Sequence, residues 1–128
     1  MSSDQKIDYL ELPADNFDSI ESFYSTTFGW SFTDYGPEHR SFSDGKLDGG
    51  FFKSELRSST TNGGALIVLF ANDLETTRDK VVANGGSLCK EILSFPGGRR
   101  FHFLDPHGNE LAVWSNAGVL EPVTCSEQ

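Results

Sequence analysis

Between Arg99 and Ser115 the chain reads Arg-Arg-Phe-His-Phe-Leu-Asp-Pro-His-Gly-Asn-Glu-Leu-Ala-Val-Trp-Ser, two alternating runs around a block of turn formers. Asp offers a side-chain cap, Pro a fixed φ, and Gly and Asn a tolerance of positive φ, so the stretch predicts a β-hairpin. With residues 105 to 109 as the loop, Leu104 stands opposite Glu110, His102 opposite Ala112 and Arg100 opposite Trp114. Side chains alternate between the two faces of such a ribbon. Phe101, Phe103, Leu111 and Val113 make one face wholly apolar, and that face demands a cover, most simply a helix. The other face carries Arg100, His102, Leu104, Glu110, Ala112 and Trp114, a mixture suited to the wall of a polar-lined cavity.

The rest of the chain supplies the partners such a ribbon needs. Ile7 to Leu12 alternates and reads as a strand, with Ile7, Tyr9 and Glu11 on one face and Leu10 and Leu12 on the other. Asp15 or Asn16 then caps a helix whose Phe17, Ile20, Phe23, Tyr24 and Thr27 recur at helical spacing until Gly29 stops it. Three short strands follow, at Trp30 to Tyr35, His39 to Ser43 and Gly49 to Lys53, separated by Gly36-Pro37 and Asp44-Gly45 turns. After a polar connector the order restarts. Ala65 to Ala71 reads as a buried strand, Leu74 to Asn84 as a helix with Leu74, Val81 and Val82 inward, Ser87 to Leu93 as a strand, and the hairpin completes the set. Two halves therefore share the order strand, helix, three strands, an internal repeat of pattern.

A chain of 128 residues, 37% hydrophobic, is enough for one domain with a real core. The formal charge of −9 disfavours nucleic acid and anionic membranes as partners and would welcome a cationic ligand. No stretch has the length of a membrane helix, and the opening residues lack the apolar core of a signal peptide, so a cytoplasmic location is expected. Cys89 and Cys125 are too few for a disulfide scaffold and are expected as reduced thiols.

Phe23-Tyr24 with Phe28-Gly29-Trp30, and Phe103 to Leu111 with its Asp-Pro-His-Gly-Asn turn, resemble the vicinal oxygen chelate superfamily, which includes glyoxalase I, bleomycin- and fosfomycin-resistance proteins and extradiol dioxygenases. The resemblance spans about residues 6 to 116. It implies an α+β fold of two βαβββ modules whose curved mixed sheets enclose a cavity, often completed by a second subunit. The expected boundaries are module one at about 6–54, a connector at 54–64, module two at about 65–116 and a flexible tail at 117–128. In the enzymes of that superfamily four side chains hold one divalent metal, and the matching positions here are Tyr9, about Gly49, about Leu66 and Ala112. Divalent metals need imidazole, carboxylate or thiolate donors, and Gly, Leu and Ala supply none. No metal or other cofactor is therefore expected.

The residues expected around a ligand are Tyr9, Glu11, Phe51, Arg100, His102 and Trp114. His102 with Glu110 is the candidate acid–base pair, or else a satisfied polar contact in a pocket wall. Arg100 could clamp a ligand carboxylate or phosphate, or pair with Glu11 or Glu110. Trp114 and Phe51 offer flat apolar walls, or core packing. His39 and His107 are expected in exposed loops. These readings converge on a small-molecule-binding protein, its partner a small organic ligand, in the form of a homodimer. The competing reading is a metal-dependent lyase, isomerase or dioxygenase with an ion held by some of Tyr9, Glu11, His102 and Glu110. A third is a partner protein whose cavity is vestigial.

Overall fold

The computed structural model describes residues 4–117. The expected tail, 117–128, lies outside those residues from 118 onward, Cys125 included. Within them the chain runs β1 (Tyr9–Ala14), α1 (Phe17–Phe28), β2 (Ser31–Asp34), β3 (His39–Ser43), β4 (Asp48–Lys53), a 3-10 turn (Thr60–Asn62), β5 (Ile67–Phe70), α2 (Leu74–Ala83), β6 (Ser87–Phe95), β7 (Gly98–Leu104) and β8 (Glu110–Ser115). These elements form two βαβββ modules, each with a four-stranded mixed sheet. The strand orders are β1-β4-β3-β2 and β5-β8-β7-β6, with β1 parallel to β4 and β5 parallel to β8. No helix among the described residues is long and apolar enough to cross a membrane.

The helix boundaries follow from local chemistry. The Asn16 side chain accepts from Ser19 N–H at 3.1 Å to open α1, and Asp73 accepts from Thr76 N–H at 3.0 Å to open α2. Gly29, at φ 76°, ends α1 in a left-handed turn that a side chain would strain. The first strand begins and ends two residues later than expected, at 9–14, because Pro13 needs no ladder N–H and stays in the strand. β5 is shorter than expected and half-exposed rather than buried: Val68 and Phe70 face outward while Ile67 and Leu69 turn inward. Val82 is likewise exposed, so α2 faces the core through Leu74 and Val81.

The hairpin register is as the sequence implies, with Leu104 on Glu110, His102 on Ala112 and Arg100 on Trp114. Its odd-numbered face is closed completely. Phe101, Phe103, Leu111 and Val113 join one hydrophobic cluster with Ile20 and Phe23 of α1 and Leu74 and Val81 of α2. Tyr24 stacks on Trp30 at 4.5 Å, Trp30 stacks on Phe42 at 4.6 Å, and Phe23 and Phe28 each reach Phe103 at 5.9 Å. Aromatic burial of this kind contributes roughly 2–3 kcal/mol per ring before entropy is set against it. The two modules thus share a core, which fixes their polar faces on the side away from the helices.

Candidate functional site

On module one, β-pairing assembles the outward face rung by rung. Tyr9 pairs with Asp48 and Asp48 with Ser43, which pairs with Ser31; Glu11 pairs with Gly50, Gly50 with Ser41 and Ser41 with Thr33. His39 lies in β3, not in an exposed loop, and its Nε2 is 3.3 Å from the Tyr9 hydroxyl, which donates to Glu11 Oε2 at 3.1 Å. Burial and the Glu11 carboxylate raise the Tyr9 phenol, so it stays protonated and donates. A cavity of about 500 Å³ opens over this face, lined by Tyr9, Thr33, Tyr35, His39, Ser41 and Asp48 among others. Gly50 is its floor. A Cβ there would sit 2.6 Å from the Tyr9 hydroxyl and closer still to the His39 ring, so the phenol and imidazole converge because this strand position has no side chain.

On module two the outward face meets the connector. Ser58 N–H donates to Asn109 Oδ1 at 2.9 Å and Glu110 N–H to Ser58 O at 2.8 Å. Thr60 then donates twice to Glu110 Oε1, from its N–H at 2.9 Å and its hydroxyl at 2.7 Å, while His102 Nδ1 lies 2.8 Å from Oε2. One carboxylate thereby ties the connector to the imidazole. His102 and Glu110 are only 3% and 6% exposed. Between the connector and β6–β8 lies a space of about 700 Å³ whose lining includes Thr60, Asn62, Cys89, Lys90 and Glu110. Cys89 is an exposed free thiol, pushed up by burial and by the Glu110 charge, and so a poor nucleophile.

Burial pushes the Glu110 carboxyl up, but the donors from His102 and Thr60 more than reverse it and hold the group at about 2, below its ordinary 4.5. A folded value below the unfolded one adds stability that is complete above the unfolded pKa and is lost as pH falls from about 5 towards 2. The shift corresponds to at most about 3 kcal/mol. Glu75, also held at about 2 by the Arg99 fork, titrates in the same window. The expected result is therefore differential: from pH 5 to 2 the urea midpoint falls less in Glu110→Gln than in the parent chain. Equal slopes would show that the Glu110 contacts contribute nothing.

The turn between β7 and β8 is a lock. Asp105 Oδ1 accepts the backbone N–H groups of His107, Gly108 and Asn109 at 2.9–3.0 Å, and its Oδ2 accepts Tyr24 hydroxyl at 2.8 Å and Asn109 Nδ2 at 3.2 Å. Burial lifts the Asp105 carboxyl and lifts the Tyr24 phenol further, with the Asp105 charge adding to the latter, so Tyr24 remains the donor. His107, expected in solvent, is buried by the connector: its Nε2 donates to Leu56 O at 2.6 Å and its Nδ1 lies 3.2 Å from Asp15 Oδ1.

The residues expected around a ligand thus divide between two faces. Tyr9 and Glu11 meet on module one and are joined there by His39. Arg100, His102 and Trp114 share the module-two face with Glu110. Phe51 belongs to neither, since it packs fully buried against Tyr24 and Phe42 as core. Arg100 pairs with neither Glu11 nor Glu110; its guanidinium lies over the Phe95 ring at 5.8 Å. The signal for His39 was Gly49-Gly50 inside a strand, which marks a close approach from a neighbour. The four metal positions of the resembled enzymes do not fit a divalent ion. Gly49, Leu66 and Ala112 carry no donor, the Gly49 Cα faces the Phe42 ring, and no three His, Cys, Asp or Glu side chains gather among the described residues.

Solved structures share this fold. A glyoxalase-related enzyme from Fulvimarina pelagi superposes with TM-score 0.72 at 17% identity, over 87% of this chain and 88% of its own. Lactoylglutathione lyase from Agrobacterium tumefaciens does so with TM-score 0.67 at 22% identity, over 89% and 96%. A glyoxylase-like domain-containing protein from Didymella fabae is 29% identical over 126 residues, covering 88% of this chain and 95% of that protein. The profile of the Glyoxalase/Bleomycin resistance protein/Dioxygenase superfamily matches residues 6–113, so the chain belongs to that superfamily.

Proposed function

We propose that the chain is a small-molecule-binding protein whose ligand sits on the polar face of module one and is held without the four-ligand metal of the superfamily's enzymes. The supporting observation is the cavity lined by Tyr9, His39 and Asp48, where the Tyr9 hydroxyl links His39 to Glu11 above a strand position left open by Gly50. Glu11 and Asp48 have no cationic partner among the described residues, so the face favours a ligand with an amino group. Ser41, Thr33 and the Tyr9 phenol favour hydroxyls beside it. The protein works in this reading as a homodimer, in keeping with β1 and β5, which each pair on one side only, and with the exposed Ile7 just before β1 and Val68 and Phe70 of β5.

Three sugars of one ring size and different charge test the site: glucosamine, glucose and glucuronate. In 1H–15N spectra glucosamine is expected to shift Tyr9, His39, Ser41 and Gly50 most, and glucuronate least. Gly50→Ala leaves the fold intact, because the atoms it displaces are the free ends of two side chains, and weakens glucosamine by about tenfold or more, the equivalent of one charge-assisted contact. Shifts that avoid this face, or that persist unchanged in Gly50→Ala, would remove the module-one site.

A further inference from the structure

Folding has buried two polar atoms without partners on alternate residues of one strand face: Arg100 Nε and His102 Nε2. Native folds leave few such atoms, because each loses its hydration and gains nothing in return. The two lie on the β7 face turned away from the helices, and their surroundings differ. Beside Arg100 the wall is aromatic. Trp114 stands opposite it in register, Phe70 and Phe95 flank Trp114 at 5.2 and 6.4 Å, and Phe95 carries the guanidinium. Beside His102 stands Lys90, exposed, and without a carboxylate partner among the described residues. The Glu110 carboxylate is already committed to Thr60 and His102. In the neutral form, with the Nδ1 proton donated to Glu110, the imidazole presents a lone pair at Nε2.

We infer that this face is a second site, independent of the module-one cavity, for a flat aromatic carboxylic acid that bears a hydroxyl. The carboxylate lies on the Arg100 fork with Lys90 alongside, the ring rests against Trp114 and its aromatic neighbours, and the hydroxyl donates to His102 Nε2. Alternate residues of a strand share a face, with Cα atoms about 6.7 Å apart, so one ligand can reach both side chains. The hydroxyl reaches His102 by displacing the side chains that close over the imidazole. Because Nε2 is already stripped of water, the bond it forms carries no further desolvation cost at the protein.

Three matched probes decide the matter with the full chain: 4-hydroxybenzoate, benzoate and 4-hydroxybenzamide. Calorimetric titration is expected to rank 4-hydroxybenzoate about tenfold tighter than either of the others, since each lacks one of the two polar contacts. Arg100→Gln removes the preference over the amide and keeps the preference over benzoate; His102→Leu does the reverse. A readout on the parent chain guards against a misfolded variant: long-range 1H–15N spectra show His102 Nε2 becoming hydrogen-bonded with 4-hydroxybenzoate and unchanged with benzoate. Absence of saturable binding by all three, preferences that survive both substitutions, or shifts confined to Tyr9 and His39 would overturn the inference, and only the last bears on the module-one site.

Discussion

Asp105→Ala is expected to cost the fold about 3–5 kcal/mol, the loss typical of removing one partner from a buried charged network. The magnitude follows from what the carboxylate holds. Three consecutive backbone N–H groups that shape the turn converge on Oδ1, while Oδ2 holds the Tyr24 hydroxyl and the Asn109 amide, both from fully buried side chains. Alanine leaves these donors in a dry interior without water to replace the acceptor. Tyr24→Phe removes one bond and no acceptor, and is expected to cost about 1–2 kcal/mol. Combining the two substitutions should cost less than their sum, because the Tyr24 donor stranded by the first is absent in the second. Urea unfolding of the four forms checks this. A cost below 1 kcal/mol for Asp105→Ala, or strict additivity, would show that the turn holds its shape through Pro106 and Gly108 alone.

That lock shows where sequence reading stops. The turn was legible because Asp, Pro, Gly and Asn act on their own backbone, and the facing pairs followed from strand alternation alone. The partner of Asp105 was not legible, since Tyr24 lies 81 residues away and nothing local distinguishes a capping carboxylate from one that also accepts a buried phenol. The same limit misplaced His107. A histidine among turn formers reads as exposed unless another segment covers it, and the connector, polar and without periodicity, gave no sign that Leu56 O and Thr60 would dock across the turn and Glu110. His39 was misplaced, and Phe51 was left between pocket wall and core, for a different reason. Gly49 and Gly50 carry no side chains, so the alternation that would have assigned Phe51 to the core and the preceding position to the open face had nothing to show it.

The apolar face of the hairpin makes the strongest claim on the chain as a whole. Phe103 belongs to module two, yet it touches Phe23 and Phe28 of α1 in module one as well as its neighbour Phe101. Phe103→Ala is therefore expected to cost about 3–5 kcal/mol, the usual range for a buried ring and the cavity it leaves. That cost should fall on both modules at once. The two tryptophans provide a probe for each: Trp30 is buried in module one and Trp114 is half-buried in module two. With 5-fluorotryptophan incorporated, their 19F signals, assigned through Trp114→Phe, are expected to disappear at one urea concentration in the parent chain and at one lower concentration in Phe103→Ala. A Trp30 signal that outlasts Trp114 would mean that module one folds alone and that the ring at position 103 is a dispensable contact. Coincident loss would mean that residues 9 to 115 fold as one cooperative unit, in which the polar faces of the two modules hold a fixed relation because the same aromatic cluster sits behind both.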